Sequence, residues 1–140
     1  MPGKISAKEQ AKWPKKTIVP LEKPFVDARG VIQALVDVDM KGALLITSKK
    51  GAVRANHYHK SDWHYCFVLS GSIEYFERPV GSKKAPKKII VKTGQLFFTP
   101  PMVEHAMRFP EDGAFLTLSR NIRDPKSYEK DLVRVELIKP

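Results

Sequence analysis

Cysteine is nearly absent. Cys66 stands alone in 140 residues, so no internal disulfide framework can form. Long apolar runs are missing too, with nothing near the roughly 18 residues a membrane-spanning helix needs. The first residues, Met1 to Gln10, carry charge but no apolar h-region, so no secretory signal is expected. These absences lead to the expectation of a cytoplasmic protein with no membrane partner. Acidic residues are few, 15 against 25 lysines and arginines, for a net charge of +10. The lysines concentrate near the N-terminus (Lys4, Lys8, Lys12, Lys15, Lys16) and in one loop (Lys83, Lys84, Lys87, Lys88). The plain reading is a solvated tail and hairpin tip; the sharper one is attraction of an anionic substrate such as a sugar nucleotide. Aromatics interleaved with the lysines, the stacking platform of a single-strand binder, are lacking, and no nucleic-acid partner is expected.

Helical periodicity is also scarce, and turn signals are frequent. Residues 1–24 are polar and basic, with Pro14 and Pro20, and read as an arm; residues 25–140 read as one domain. Strand-like runs follow at Val31–Asp37, Ala43–Thr47, Ala52–His59, His64–Leu69, Ser72–Glu77, Lys88–Val91, Leu96–Thr99, His105–Phe109 and Ala114–Ser119. Many short strands at even spacing predict an all-β sandwich or barrel. A short C-terminal helix is expected, with Asp124 as its cap and Pro125 in first position.

Histidine is rare but concentrated. All four lie in two short segments. His57 and His59 are two residues apart, so on a strand they share a face, roughly 6–7 Å apart along the backbone. Lys60 to Trp63 make a turn, and His64 opens the returning strand. His105 must arrive from a distant strand. The pattern suits a transition metal held by His57, His59, His64 and His105, and imidazole alone does not choose among Fe, Mn, Ni, Zn and Cu. If His64 faces inward, so do Cys66 and Val68, and Cys66 reads as a small buried hydrophobe. Tyr65, Phe67 and Leu69 then face outward and need covering by the arm or by a second subunit, so a homodimer is expected.

The two segments resemble the cupins. The first cupin motif is a glycine, five residues, His-x-His, three or four residues, a glutamate, six residues and a glycine; Gly51, His57, His59, the position of His64, and Gly71 match it. In the second motif Gly94, Pro100 and His105 match. Three positions depart: His64 replaces glutamate, Met102 glycine and Phe109 asparagine. The resemblance implies a single jelly-roll barrel (a double-stranded β-helix) and one divalent metal ion. The stretch Arg54 to Lys60 is similar to the active-site strand of cupins in nucleotide-sugar and polysaccharide biosynthesis, the dTDP-sugar 3,4-ketoisomerases among them. Asp27-Ala28-Arg29-Gly30 and the ending Arg120 to Tyr128 are similar as well. That likeness implies substrate binding by Arg54 and proton transfer by His57 and His59. Ala55 stands where a glycine usually follows the arginine, and strict alternation sends Arg54 to the face opposite His57 unless the strand bulges. Arg108 and Arg120 are further candidates for a phosphate site. Glu104 is expected to point away, and Asp62 reads as a turn residue.

Two function classes compete. In a sugar isomerase or epimerase, a proton leaves the carbon beside a carbonyl, and His57 or His59 acts as base or the metal polarises the carbonyl. In a metal-dependent dioxygenase every histidine is a ligand. A non-catalytic sugar-binding cupin is a weaker third.

Overall fold

The computed structural model describes residues 3–140. In chain order it has helix α1 (Ala7–Ala11), strands β1 (Ile18–Val19), β2 (Phe25–Asp27), β3 (Gly30–Ile32), β4 (Gly42–Ser48), β5 (Val53–His59), β6 (His64–Ser70), β7 (Ser72–Pro79), β8 (Lys87–Lys92), β9 (Leu96–Thr99), β10 (Val103–Arg108) and β11 (Gly113–Ser119), then helix α2 (Pro125–Asp131) and strand β12 (Leu132–Arg134). One five-stranded sheet runs β1-β9-β6-β11-β4 and the other β12-β5-β10-β7-β8. All pairings are antiparallel. From β4 to β11 the chain changes sheet at nearly every connection, which is the winding of a jelly roll. The all-β barrel with a short C-terminal helix is the architecture observed. No helix among the described residues is long and apolar enough to cross a membrane.

Period-two alternation sends one apolar set between the sheets. Cys66, Val68, Ile73, Tyr75, Val91, Phe97, Phe109 and Phe115 form this inner core. Gly71 makes the crossing from β6 to β7 with φ 75°; a Cβ there would lie 2.7 Å from the Asp112 carbonyl oxygen. A second cluster, Trp63, Tyr65, Leu96 and Phe98, lies on the outer face of the first sheet. Trp13, Val19, Leu21, Val36, Val38 and Met40 pack over it. The arm therefore covers part of the outer face itself. Ile18 pairs with Phe97 and Val19 with Leu96 at the sheet edge. Glu9 of α1 accepts from Trp63 Nε1 at 2.9 Å and from Arg120 Nε at 2.6 Å.

The strand predicted over Val31–Asp37 is shorter than expected. Only Gly30–Ile32 is extended and paired, with Phe25–Asp27. Beyond it Val36 and Val38 are held by packing on the aromatic cluster rather than by a ladder. The Asp27–Gly30 segment is the turn of this β2–β3 hairpin. Arg29 folds back on Asp27, donating from Nη2 at 2.6 Å, so it takes no part in the histidine site.

Candidate active site

The site is built around an irregularity in β5. His57 pairs with His105 on β10, but Ala55 pairs with Ala106, leaving Asn56 as an extra residue. Ala55 and Asn56 both have positive φ, 67° and 56°. This β-bulge resets the alternation, and Arg54 lines the same cavity as His57. Asn56 locks the bulge with its side chain: Oδ1 accepts from the Leu137 and Ile138 N–H groups at 3.1 Å, and Nδ2 donates to the Ile138 carbonyl at 3.0 Å.

The four imidazoles gather, but as two overlapping sets. Donor atoms of His57, His59 and His105 all lie within 4.8 Å of one another; His64 belongs to a second set with His59 and Asp62. Ring centroids are 4.7 Å apart for His57–His59, His57–His105 and His59–His64. Neighbouring groups set the tautomers. His105 Nδ1 donates to the Val103 carbonyl at 3.0 Å, leaving Nε2 with its lone pair. His64 Nε2 donates to Asp62 Oδ2 at 3.0 Å, so only its Nδ1 is open. His59 is buried, and neither of its ring nitrogens has a hydrogen-bond partner among the described residues. Asp131 Oδ2 stands 3.5 Å from His59 Nδ1.

Burial keeps His57, His64 and His105 neutral. It pushes His105 down to about 3, with the nearby His59 adding to the effect. Burial also lowers His57 strongly, and lowers His64 despite the opposing pull of Asp62. For Asp131, burial alone would raise the pKa; His59, the Ser61 hydroxyl and the Asp62 N–H outweigh it and hold the carboxyl at about 2. Three imidazoles with converging donor atoms, one of them a buried ring with no partner among the described residues, fit a divalent transition ion.

Two aspartates here were not singled out as site residues by the sequence. Asp62 is a buried turn residue whose Oδ1 also accepts from the Asn121 N–H at 2.9 Å. Asp131 ends α2 and accepts from Ser61 N, Ser61 Oγ and Asp62 N at 2.9, 2.6 and 3.0 Å. The signal for Asp62 was its place two residues before His64. For Asp131 nothing local pointed to the site, because seventy residues separate it from Ser61.

A cavity of about 190 Å³ opens between the sheets beside the rings. His57, His64 and His105 line it with Arg54, Arg123, Tyr75 and Thr99, whereas His59 lies behind them. Tyr75 is fully buried and its hydroxyl shares a hydrogen bond with Thr99 Oγ1 at 2.8 Å; burial raises its pKa well above 10, so it keeps its proton. Cys66 also faces inward, and burial pushes its thiol up to about 12, an unreactive state. Arg108 and Arg120 do not reach the cavity: Arg120 clamps Glu9 of the arm, and Arg108 lies 5.8 Å over the Phe76 ring. Glu104 is taken by Arg78 at 2.7 Å, away from the rings.

A family model described as "Cupin domain" matches residues 44–119. The chain is a cupin. A comparison with curated proteins gives no match. Among solved structures this cupin is similar to a double mutant of QdtA, the 3,4-ketoisomerase from Thermoanaerobacterium thermosaccharolyticum, in complex with TDP: 25% identity, 80% of this chain and 82% of that one covered, TM-score 0.65. It is similar in fold to the dTDP-4-dehydrorhamnose 3,5-epimerase from Sulfolobus tokodaii, with 16% identity, 89% and 86% coverage, and TM-score 0.67. The capsular polysaccharide assembling protein CapF from Staphylococcus aureus matches in fold at 20% identity and TM-score 0.61, over 84% of this cupin but only 34% of that chain.

Proposed function

We propose that this cupin is a sugar isomerase or epimerase that moves a proton beside a carbonyl of a nucleotide-linked sugar. The observation that carries this reading is His57: a neutral imidazole on the wall of the cavity, backed by His59 at 4.7 Å between centroids. A neutral ring offers the lone pair that a base needs. His57 takes the proton from the carbon; the ionised Asp131 carboxylate stands 3.5 Å from Nδ1 of His59, the ring behind it. Tyr75 keeps its proton on the same cavity wall and is placed to donate a hydrogen bond to the substrate carbonyl oxygen, while His57 returns the proton it has taken. Arg54 is fixed by Ser48 Oγ and the Thr47 carbonyl, both at 2.8 Å, and binds the nucleotide phosphates. The similarity to the QdtA ketoisomerase supports the substrate class. In the competing version of this reading, a divalent ion on His57, His59 and His105 would supply a Lewis acid toward a carbonyl oxygen, and His57 would then be a ligand and not the base.

The test is proton exchange. With dTDP-4-keto-6-deoxyglucose in heavy water, deuterium is expected at the carbon next to the carbonyl, read by NMR. His57→Asn should slow it by about 100-fold or more, the usual share of general base catalysis. No exchange by the intact chain, with or without added divalent metal, sinks the isomerase reading.

A second reading, a metal-dependent dioxygenase, is favoured by the three converging donor atoms and the unpartnered His59. It predicts stoichiometric iron, manganese or nickel in the purified protein and oxygen uptake with small diketones or phenols. Less than a tenth of a metal ion per chain after reconstitution removes it.

Two copies of the chain are proposed to pair through the β2–β3 hairpin. Phe25, Val26, Val31 and Ile32 are each more than half exposed, and an isolated two-stranded ribbon is marginal in water. The outer edge of β4 is unpaired and carries Leu45, 66% exposed. A second copy's hairpin is the occupant that matches an open edge with apolar side chains.

A further inference from the structure

Of the seven arginines, four are paired with carboxylates: Arg29 with Asp27, Arg78 with Glu104, Arg120 with Glu9, and Arg134 with Glu129. Two of the three without such a partner among the described residues, Arg54 and Arg123, line the same cavity. They come from opposite sides: Arg54 from β5 of one sheet, Arg123 from the segment after β11 of the other. Arg123 is half-buried and stacked on the Tyr128 ring, its guanidinium carbon 4.4 Å from the centroid. The nearest acceptor position, His64 Nε2 at 3.5 Å, is already engaged by Asp62 at 3.0 Å. Among the described residues no Asp or Glu lies on the cavity wall; the remaining lining is imidazole, hydroxyl, thiol and apolar.

A partly desolvated guanidinium without a counter-charge is costly, and a bound anion removes the cost. The cavity, about 190 Å³, suits a single sugar ring. Arg123 sits at its histidine end, where the reacting ring would lie, and so serves the sugar rather than a distant phosphate.

We propose that the sugar admitted to this cavity is itself acidic: its ring carries a carboxylate, received by Arg123 with Arg54 on the facing side. This rests on the carbohydrate reading given above and narrows its substrate to sugar acids of the uronate class.

Calorimetric titration of the 140-residue, metal-free chain at fixed ionic strength tests it, with D-glucuronate, D-glucose, D-glucose 6-phosphate and TDP as probes. Glucuronate is expected to bind about tenfold or more tighter than glucose, the scale of one charge-assisted hydrogen-bonded pair. Arg123→Met should abolish that preference, and Arg123→Lys should retain part of it through the charge. Equal affinity for glucuronate and glucose, including no binding of either, overturns the proposal without any variant. So does a preference for glucuronate that survives in a folded Arg123→Met chain. Tighter binding of glucose 6-phosphate through Arg123 assigns the anion to a ring phosphate and overturns the carboxylate. Loss of TDP binding in Arg123→Met to the same degree as in Arg54→Met assigns Arg123 to the diphosphate and overturns it as well. These titrations read binding, not turnover. A chain that selects glucuronate yet exchanges no proton loses only the isomerase reading; one that exchanges protons of a neutral sugar and ignores the carboxylate loses only this one.

Discussion

At the scale of single residues, two departures from the cupin pattern fall on strained backbone. Met102 stands where the motif has glycine, and its φ is 61°. Ala55 stands where glycine follows the arginine in similar enzymes, and its φ is 67°. A side chain in this left-handed region costs about 1–2 kcal/mol, part of which glycine returns by its freedom in the unfolded chain. Met102→Gly should therefore raise stability by about 0.5–1 kcal/mol in a denaturant melt, because Met102 is 47% exposed and little packing is lost. A lower melting midpoint would show that the Met102 side chain contributes more than its exposure suggests. The histidines give a second prediction. The pKa values of His57, His64 and His105 lie below the ordinary 6.5 in the folded chain, so the unfolded chain binds more protons below that pH. Their contribution is complete above about pH 6.5 and is lost as the pH falls toward the folded values, by about 1.4 kcal/mol per unit for each ring. Metal-free protein should melt at a lower temperature at about pH 5 than at about pH 7.5. A flat melting temperature over that range would mean that the rings are more hydrated than their burial indicates.

At the scale of elements, the site depends on two segments that supply no histidine. The arm is held by Glu9, bonded to both Trp63 and Arg120. Glu9→Gln should cost about 1–2 kcal/mol, the range of charge-assisted hydrogen bonds, and expose Trp63, which tryptophan fluorescence reads directly. An unchanged emission maximum and stability would mean that the arm is held by Trp13 and β1 alone. The chain from α2 onward fixes the turn between β5 and β6 through Asp131 and, beyond β12, fixes the β5 bulge through the Asn56 contacts with residues 137 and 138. Asp131→Asn keeps the shape but removes the charge beside His59. In the isomerase reading it should lower kcat about 10-fold or more with KM little changed, the signature of a group acting through the base. A rise in KM alone would assign Asp131 to packing of the turn.

At the scale of the molecule, the hairpin predicts assembly. Light scattering at micromolar concentration should report a dimer, and Val31→Lys with Ile32→Lys should yield a monomer that keeps its circular dichroism. A monomeric native chain would leave the four exposed side chains of the hairpin for some other surface. The barrel itself needs no partner to close its core, since the inner cluster is buried within one chain.

The β-rich winding, the histidine segments and the capped C-terminal helix were legible because each depends on local spacing: alternation on a strand, turn residues between strands, and Asp124 accepting from the Ser127 N–H ahead of Pro125. The short β1 and α1 of the arm were not, since two paired residues and one helical turn leave no period to read. Outside the β5 bulge, the sequence alone determined which faces of the strands turn inward, because period two is a property of the backbone. Only the tertiary structure decided which imidazole nitrogens are free, that Asn56 is the extra residue bringing Arg54 to the cavity, and that Asp131 and Arg123 stand beside the histidines. Those facts depend on contacts between residues many positions apart, which local spacing does not encode.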